Sequence, residues 1–360
     1  MTSKERVKTA LAHQEPDRPP VDFRARDEVA AALRTRLELK PEERLDDALG
    51  VDLWRINTRF PEEAAPSRYA DPTVAVTQEG LYLDIWGAGF KESQTESGSY
   101  MELAYSPLRE CAHPHDIASY PWPTADQWDY SRIADDARAG GDKWVWAHSR
   151  GVFEIAWFLR GFDGFLMDMM MEPERAADLL DHIHAYLMAR TRRILEAGEG
   201  LIDMVEYNDD AGGQGGMLVN PDQWRELIKP RMASFIKLVK SYGVKVQYHS
   251  CGGIRPIIPD LIEIGLDVLN PVQTLATGME PMALKQDFGD KLCFNGGIDT
   301  QQLLPYGTTE EVRATTRWMI DTMGRDGGYI LASAHRYQGD VPLENILAVY
   351  ETALGCSVSA

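Results

Sequence analysis

The residues most able to do chemistry lie in Val244-Lys245-Val246-Gln247-Tyr248-His249-Ser250-Cys251-Gly252-Gly253. Val and Tyr alternate with polar residues and run into a glycine pair, which reads as a strand ending in a tight turn. Side chains alternate along a strand, so His249 and Cys251, two apart, point the same way. An imidazole beside a thiolate offers two zinc ligands, and the glycines let backbone approach closely. The competing reading is a core histidine beside an inert cysteine, since free Cys is among the most buried residue types.

The elements that must position this pair follow a regular rhythm. Strands are expected at Val21-Asp22-Phe23, Val51 to Thr58, Trp144 to His148, Leu201 to Tyr207, 244 to 249, 266 to 271, 291 to 296 and Tyr329 to Ser333. Helices are expected between them. One over 172–197 has Pro173 in its first turn and Gly198 behind it. Another over 221–242 opens on the Asn220 cap and should kink at Pro230. A third over 309–323 carries the capping box Thr308-x-x-Glu311. Alternation of this kind implies a parallel sheet, and eight units in one α/β chain of 360 residues imply a (β/α)8 TIM barrel forming one domain over residues 1–360. Residues 78–124 break the rhythm with a β-hairpin insertion and a Pro-rich crossing. No Gly-rich phosphate turn follows the first strand, which argues against nucleotide binding.

In such barrels the chemistry gathers at the C-terminal ends of the strands. Those ends carry Arg24 and Arg26; Arg55, Asn57 and Arg59; His148 and Arg150; Glu206, Asn208, Asp209 and Asp210; His249 and Cys251; Asn270 and Gln273; Asn295 and Asp299; Ser333 and His335. The arginines have the planar fork that clamps a carboxylate or phosphate, so Arg24, Arg26, Arg55, Asn57, His148, Asn208, Asn295 and Asp299 are candidates for binding substrate. The alternative for each is a solvated rim. Asp209 and Asp210 are placed to orient a ligand histidine or to manage a proton, with Glu206 and Gln273 as further catalytic candidates. Asp210 has a second reading, as the cap of the turn before Gly212-Gly213.

A net charge of −19 argues against a nucleic-acid partner. No apolar run approaches the length of a membrane span. The N-terminus, Met-Thr-Ser-Lys-Glu-Arg-Val, lacks a leader's apolar segment, and four scattered cysteines fit reduced thiols better than a disulfide framework. Cytoplasm is the expected compartment, and a homodimer is compatible with all of this.

Several motifs together resemble the uroporphyrinogen decarboxylase superfamily. They are Arg6-Val7-x-x-Ala10-Leu11-x-His13-x-Glu15-Pro16-Asp17-Arg18-x-Pro20-Val21, Asp209-Asp210-x-Gly212-x-Gln214, His249-Ser250-Cys251-Gly252, Asn270-Pro271-x-Gln273, Gly296-Gly297-Ile298-Asp299, and Gly327 to His335 followed by Asp340-Val341-Pro342-x-Glu344-Asn345. The resemblance spans nearly the whole chain and implies the same barrel. Uroporphyrinogen decarboxylases proper carry Arg-Gln-Ala-Gly-Arg near the first strand, where this chain has Phe23-Arg24-Ala25-Arg26-Asp27. The other branch comprises zinc-dependent methyltransferases of corrinoid pathways, which hold zinc with a His-x-Cys pair and a later Cys. His249 and Cys251 match the pair, whereas Ser333-Ala334-His335 stands where the later Cys belongs. The resemblance then implies a zinc-dependent methyltransferase, with His335 or Glu206 as third ligand and a corrinoid as methyl donor or acceptor. Its partners would be a small-molecule substrate and a corrinoid protein. The alternatives are a metal-independent decarboxylase or lyase gripping a substrate carboxylate, and a non-catalytic barrel that binds a corrinoid or tetrapyrrole.

Overall fold

The computed structural model describes residues 1–60, 73–95, 98–111 and 113–358. Seven parallel strands follow one another around a curled sheet: Leu53–Ile56, Trp144–Arg150, Met204–Asn208, Lys245–His249, Val268–Val272, Cys293–Ile298 and Tyr329–Ser333. The eighth stave, expected as a strand at Val21-Asp22-Phe23, makes only single parallel bridges, Val21 to Leu331 and Ala25 to Tyr337. Its chemistry explains this. Pro19 and Pro20 have no N–H for a ladder, and the Val21 N–H donates to the Asp52 carboxylate (2.9 Å) rather than to a strand carbonyl. The segment still closes the barrel, because the Asp22 N–H donates to Leu331 O and the Asp52 N–H to Val21 O, both at 2.9 Å.

Alternation along the staves sorts the interior into layers. An apolar plug of Leu53, Trp144, Trp146, Met204, Val268, Cys293 and Ile330 fills the bottom and packs on Val7 of helix Ser3–Leu11. Above it, His148, Glu206 and Gln247 stand in register on neighbouring strands. Two residues further on, Arg150, Asn208, His249 and Asn270 are in register, one step closer to the mouth. A second, larger apolar cluster joins the outer faces of the strands to the surrounding helices.

The helices follow their capping signals with two informative departures. Thr2 and Thr308 each form the reciprocal capping box. The apolar run after residue 151 divides at Gly161 (φ +82°) into helices Val152–Arg160 and Phe162–Met171. The kink expected at Pro230 is absorbed by a π-helical turn over Trp224–Ile228, which accommodates the N–H that proline lacks. The insertion is larger than a hairpin. Strands Thr73–Val76, Tyr82–Asp84, Gly89–Thr95 and Gly98–Tyr105 form a four-stranded antiparallel sheet, and residues 96–97 of the expected link lie outside the described residues. It leans on the barrel through Tyr100, which hydrogen-bonds Gln338 and lies under the Arg26 guanidinium at 4.3 Å. Among the described residues no helix is long and apolar enough to cross a membrane.

The N-terminal motif has a structural role. Arg6 reaches Asp17 (2.7 Å) and the fully buried Asp52 (2.6 Å), and Arg18 binds the other Asp52 oxygen at 2.7 Å. Asp52 thereby ties the opening helix, the closing segment and the first strand together. Asp52→Ala removes the shared partner of two guanidiniums and one N–H, so it should lower stability by about 3 kcal/mol, as for other buried pairs broken on one side. Urea unfolding midpoints measure this, and a loss below about 1 kcal/mol would show that the closure does not depend on Asp52.

Candidate metal centre

His249 ends its strand and Cys251 follows in the turn, while Asp210 lies in the loop after the adjacent strand Met204–Asn208. One donor atom from each of these three lies within 4.8 Å of the others, and they are the group of this kind among the described residues. The Cys251 Sγ is 3.7 Å from His249 Nε2, which is 3.8 Å from Asp210 Oδ1. His249 Nδ1 is 2.5 Å from Asn270 Oδ1. An amide oxygen only accepts, so Nδ1 carries the proton and the Nε2 lone pair faces the cysteine and the aspartate. Burial first, then the charges of Asp210 and Glu154, push the Cys251 thiol well above its usual range. The donor set fits a metal ion. It offers a thiolate, an imidazole and a carboxylate, with the imidazole tautomer fixed for ligation.

Two glycine turns hold this arrangement. The Asp209 N–H donates to His249 O (2.9 Å), the Ala211 N–H to Ser250 Oγ (3.0 Å) and the Gly253 N–H to Gly213 O (2.9 Å). The Cys251 N–H donates to Asp210 Oδ1 at 2.8 Å. Gly252 has φ +80°, and a Cβ there would sit 2.4 Å from Gly213 N. Only glycine allows the two loops to touch in this way. Gln273 supports the same turn by accepting from the Gly252 N–H at 2.7 Å, which is its visible role.

The remaining candidates separate into distinct places. Asp209 faces away from the trio. Its carboxylate accepts from the Phe153 and Glu154 N–H groups (3.1 and 2.8 Å), capping helix Val152–Arg160, and burial raises it to about 8 against the pull of those donors. Asp299 likewise caps a turn, accepting from Gln301, Gln302 and Leu303 N–H groups. Asn57 is exposed beyond its strand. Arg26 covers the Tyr100 ring. Cys293, first in its strand and buried in the plug, has a thiol raised to about 12 by burial.

His335, expected as a third ligand, stands outside the group of three. It follows the last strand in an exposed turn held by Ser333 Oγ donating to its carbonyl (2.5 Å). Desolvation at the mouth and then the His249 charge lower its imidazole to about 4, an effect its exposure limits. Glu206, the other candidate third ligand, sits one layer below and is fully engaged. Arg24 Nη1 is 2.7 Å from Oε2, Gln247 Nε2 donates to the same oxygen at 2.6 Å, and His148 Nδ1 is 3.2 Å from Oε1. Burial raises the Glu206 carboxyl, but the Arg24 charge and the His148 bond outweigh it and hold it well below the usual range. Burial lowers His148 to about 4, against the pull of Glu206. Asn295 completes the layer, donating to Gln247 Oε1 (3.2 Å) and Asp22 Oδ2 (3.5 Å), while Arg24 Nε bonds Asp22 at 3.0 Å. Arg24 and Arg55 both lie over the Trp146 ring, at 4.5 and 5.3 Å.

Glu154 is the residue that sequence reasoning missed. It is buried, its Oε2 lies 2.8 Å from Arg150 Nη2, and it accepts from Asn208 Nδ2 at 3.3 Å, close enough to perturb Cys251. A lone carboxylate in the first turn of an otherwise apolar helix was the available signal.

With this geometry in view, the comparisons with known proteins are specific. Residues 133–354 match the family model "Uroporphyrinogen decarboxylase (URO-D)", and the chain belongs to that family. A methylated-thiol–coenzyme M methyltransferase from Methanosarcina mazei is 24% identical over 196 residues, covering 54% of this chain and 49% of that protein. A uroporphyrinogen decarboxylase from Chlorobium chlorochromatii is 22% identical over 190 residues, covering 51% and 50%. The chain thus spans about half the length of the curated relatives it matches. A solved methyltransferase from Methanosarcina mazei superposes over 99% of both chains with a TM-score of 0.69 at 18% identity, which supports the TIM-barrel fold.

The interlock of the two loops makes Gly252→Ala a direct test. The positive φ alone costs about 1–2 kcal/mol, and the contact with Gly213 adds to it. Stability should fall by at least that much in urea unfolding, and mass spectrometry should show Cys251 reacting faster with a thiol reagent. Unchanged stability and reactivity would mean that the loops are not interdependent.

Proposed function

We propose that this chain is a zinc-dependent methyltransferase moving a one-carbon group between a methylated small molecule, or a methyl-corrinoid, and a nucleophile activated at the metal. The observation that carries this reading is the convergence of Asp210, His249 and Cys251 within 4.8 Å. The similarity to the methylated-thiol–coenzyme M methyltransferase of Methanosarcina mazei supports it. Zinc, when bound, would lower the pKa of the nucleophile at the open fourth position. The chain's own residues supply the rest. Asn270 fixes the His249 tautomer, Cys251 gives a thiolate, and Asp210 gives a carboxylate oxygen while gripping the Cys251 N–H. A carboxylate also restores the negative charge lost with the family's later Cys, which a neutral imidazole at His335 would not do. A nucleophile as soft as a thiol therefore remains compatible with the site. In this reading the partners are a small-molecule substrate and a corrinoid protein. The lyase alternative draws less support, because two of the three Arg24 guanidinium nitrogens are committed to Asp22 and Glu206, leaving no two-pronged grip for a substrate carboxylate.

Purified protein should carry about one zinc per chain. Cys251→Ala and Asp210→Ala should each weaken zinc binding at least about tenfold, the lower end of the range even for residues behind the ligands. His335→Ala should retain the metal. Wild-type protein that is metal-free after gentle purification, and takes up no added zinc, would overturn the reading. Uroporphyrinogen should be left unchanged; its conversion to coproporphyrinogen would favour the lyase.

The raised Cys251 thiol also sets a pH dependence. Its folded pKa lies above the usual value, so the thiol is protonated at neutral pH and metal must displace that proton. Zinc affinity should therefore rise with pH, by up to about tenfold per unit for one displaced proton. Chelator competition between pH 6.5 and 8 measures the slope, and a flat profile would contradict Cys251 as a ligand.

A further inference from the structure

The layer beneath the metal ligands contains polar atoms that its own hydrogen bonds leave unused. His148 Nε2, Arg24 Nη2 and Asn295 Oδ1 are shielded from water and have no hydrogen-bond partner. All three belong to one connected set. Arg24 and His148 bind opposite oxygens of Glu206, and Asn295 joins through Gln247. His148 gives its Nδ1 proton to Glu206, so Nε2 is an acceptor. Arg24 Nη2 is a donor. A buried polar atom left unpaired costs about 1–3 kcal/mol, which a ligand group supplying the missing partner recovers. The His148 and Arg24 side chains keep 15% and 19% of their surface open, so part of each is reached from solvent although the unused atoms themselves are covered. His148, Glu206 and Gln247 precede Arg150, Asn208 and His249 by two residues in the same register, which places the backbone of His148 about 7 Å below that of the His249 layer.

The geometry points to a subsite formed by His148 and Arg24 for a neutral group that donates one hydrogen bond and accepts another, a hydroxyl in the simplest case, carried by the molecule whose other end engages the metal. The hydrogen-bonding demand selects neutrality, since Asp22 and Glu206 already pair with Arg24 and the open positions are one acceptor and one donor. A carboxylate has no hydrogen for His148 Nε2 and would oppose its lone pair. An ammonium can satisfy His148 but cannot accept from Arg24. A methyl group leaves both unpaired. The low proton affinity of His148 agrees with its acting as an acceptor at neutral pH. This inference rests on the methyltransferase reading for the reaction, but not for the subsite itself.

The test has two arms. In the first, cobalt-substituted protein is titrated with 3-mercapto-1-propanol, 3-mercaptopropionate and 1-butanethiol, and the sulfur-to-cobalt charge-transfer band reports binding. The hydroxyl thiol should bind about tenfold tighter than the other two, the worth of one satisfied hydrogen bond. His148→Phe should erase that preference without changing cobalt content, and His148→Gln, which keeps an acceptor oxygen, should restore part of it. Tightest binding of the carboxylate, or a preference that survives in His148→Phe, overturns the subsite. In the second arm, 15N-histidine spectra of wild-type protein without metal are recorded with 1,3-propanediol and with propionate. The His148 Nε2 resonance should be that of an unprotonated nitrogen and should move with the diol alone. Movement with propionate alone, or with neither, overturns the subsite. Failure to take up cobalt, with the second arm positive, would sink the methyltransferase reading and leave the subsite standing.

Discussion

The centre of this molecule depends on two loops meeting backbone to backbone. The turn after strand Met204–Asn208 and the turn after Lys245–His249 exchange hydrogen bonds through Asp209, Ala211, Ser250 and Gly253. Neither turn has room for a Cβ at Gly212 or Gly252, where it would lie 2.6 Å from Cys251 O and 2.4 Å from Gly213 N respectively. This contact turns adjacency in the sheet into adjacency of side chains. Without it, Asp210 would be an ordinary loop carboxylate and His249 with Cys251 an incomplete pair.

Around that contact, each polar side chain has been given either a ligand to approach or a backbone group to hold. Asn270 holds His249, Gln273 holds the Gly252 N–H, Asp209 holds a helix N-terminus and Asp299 a turn. In the layer below, Arg24 holds Glu206 ionised despite burial. Buried charge is tolerable only when paired in this way. The apolar plug beneath it gives the floor a rigid base, and Asp52 locks that base to the N-terminal helix through Arg6 and Arg18.

Much of this was legible in the sequence, and the reasons for the rest are physical. Strand periodicity put His249 and Cys251 on one face, because alternation is a local property of the chain. The alternating elements implied the barrel for the same reason. The third member of the group was not local. Asp210 reaches His249 from the loop of the adjacent strand through a glycine contact that spacing alone does not encode, so attention fell on His335, which stands in an exposed turn. Glu154 was hidden among the apolar residues of helix Val152–Arg160. Asp209, expected to be catalytic, and Asp299, expected to bind substrate, direct their carboxylates to backbone N–H groups that spacing alone does not reveal. The first stave failed as a strand because two prolines and one aspartate side chain replaced its ladder.

The central claim is that a metal sits among one sulfur and two lighter donors. X-ray absorption at the zinc edge, on the full chain loaded with one equivalent of zinc, tests it most directly. The account predicts a single sulfur at about 2.3 Å, with the other ligands being nitrogen or oxygen at about 2.0–2.2 Å. A spectrum with two or more sulfurs, or with none, would contradict it.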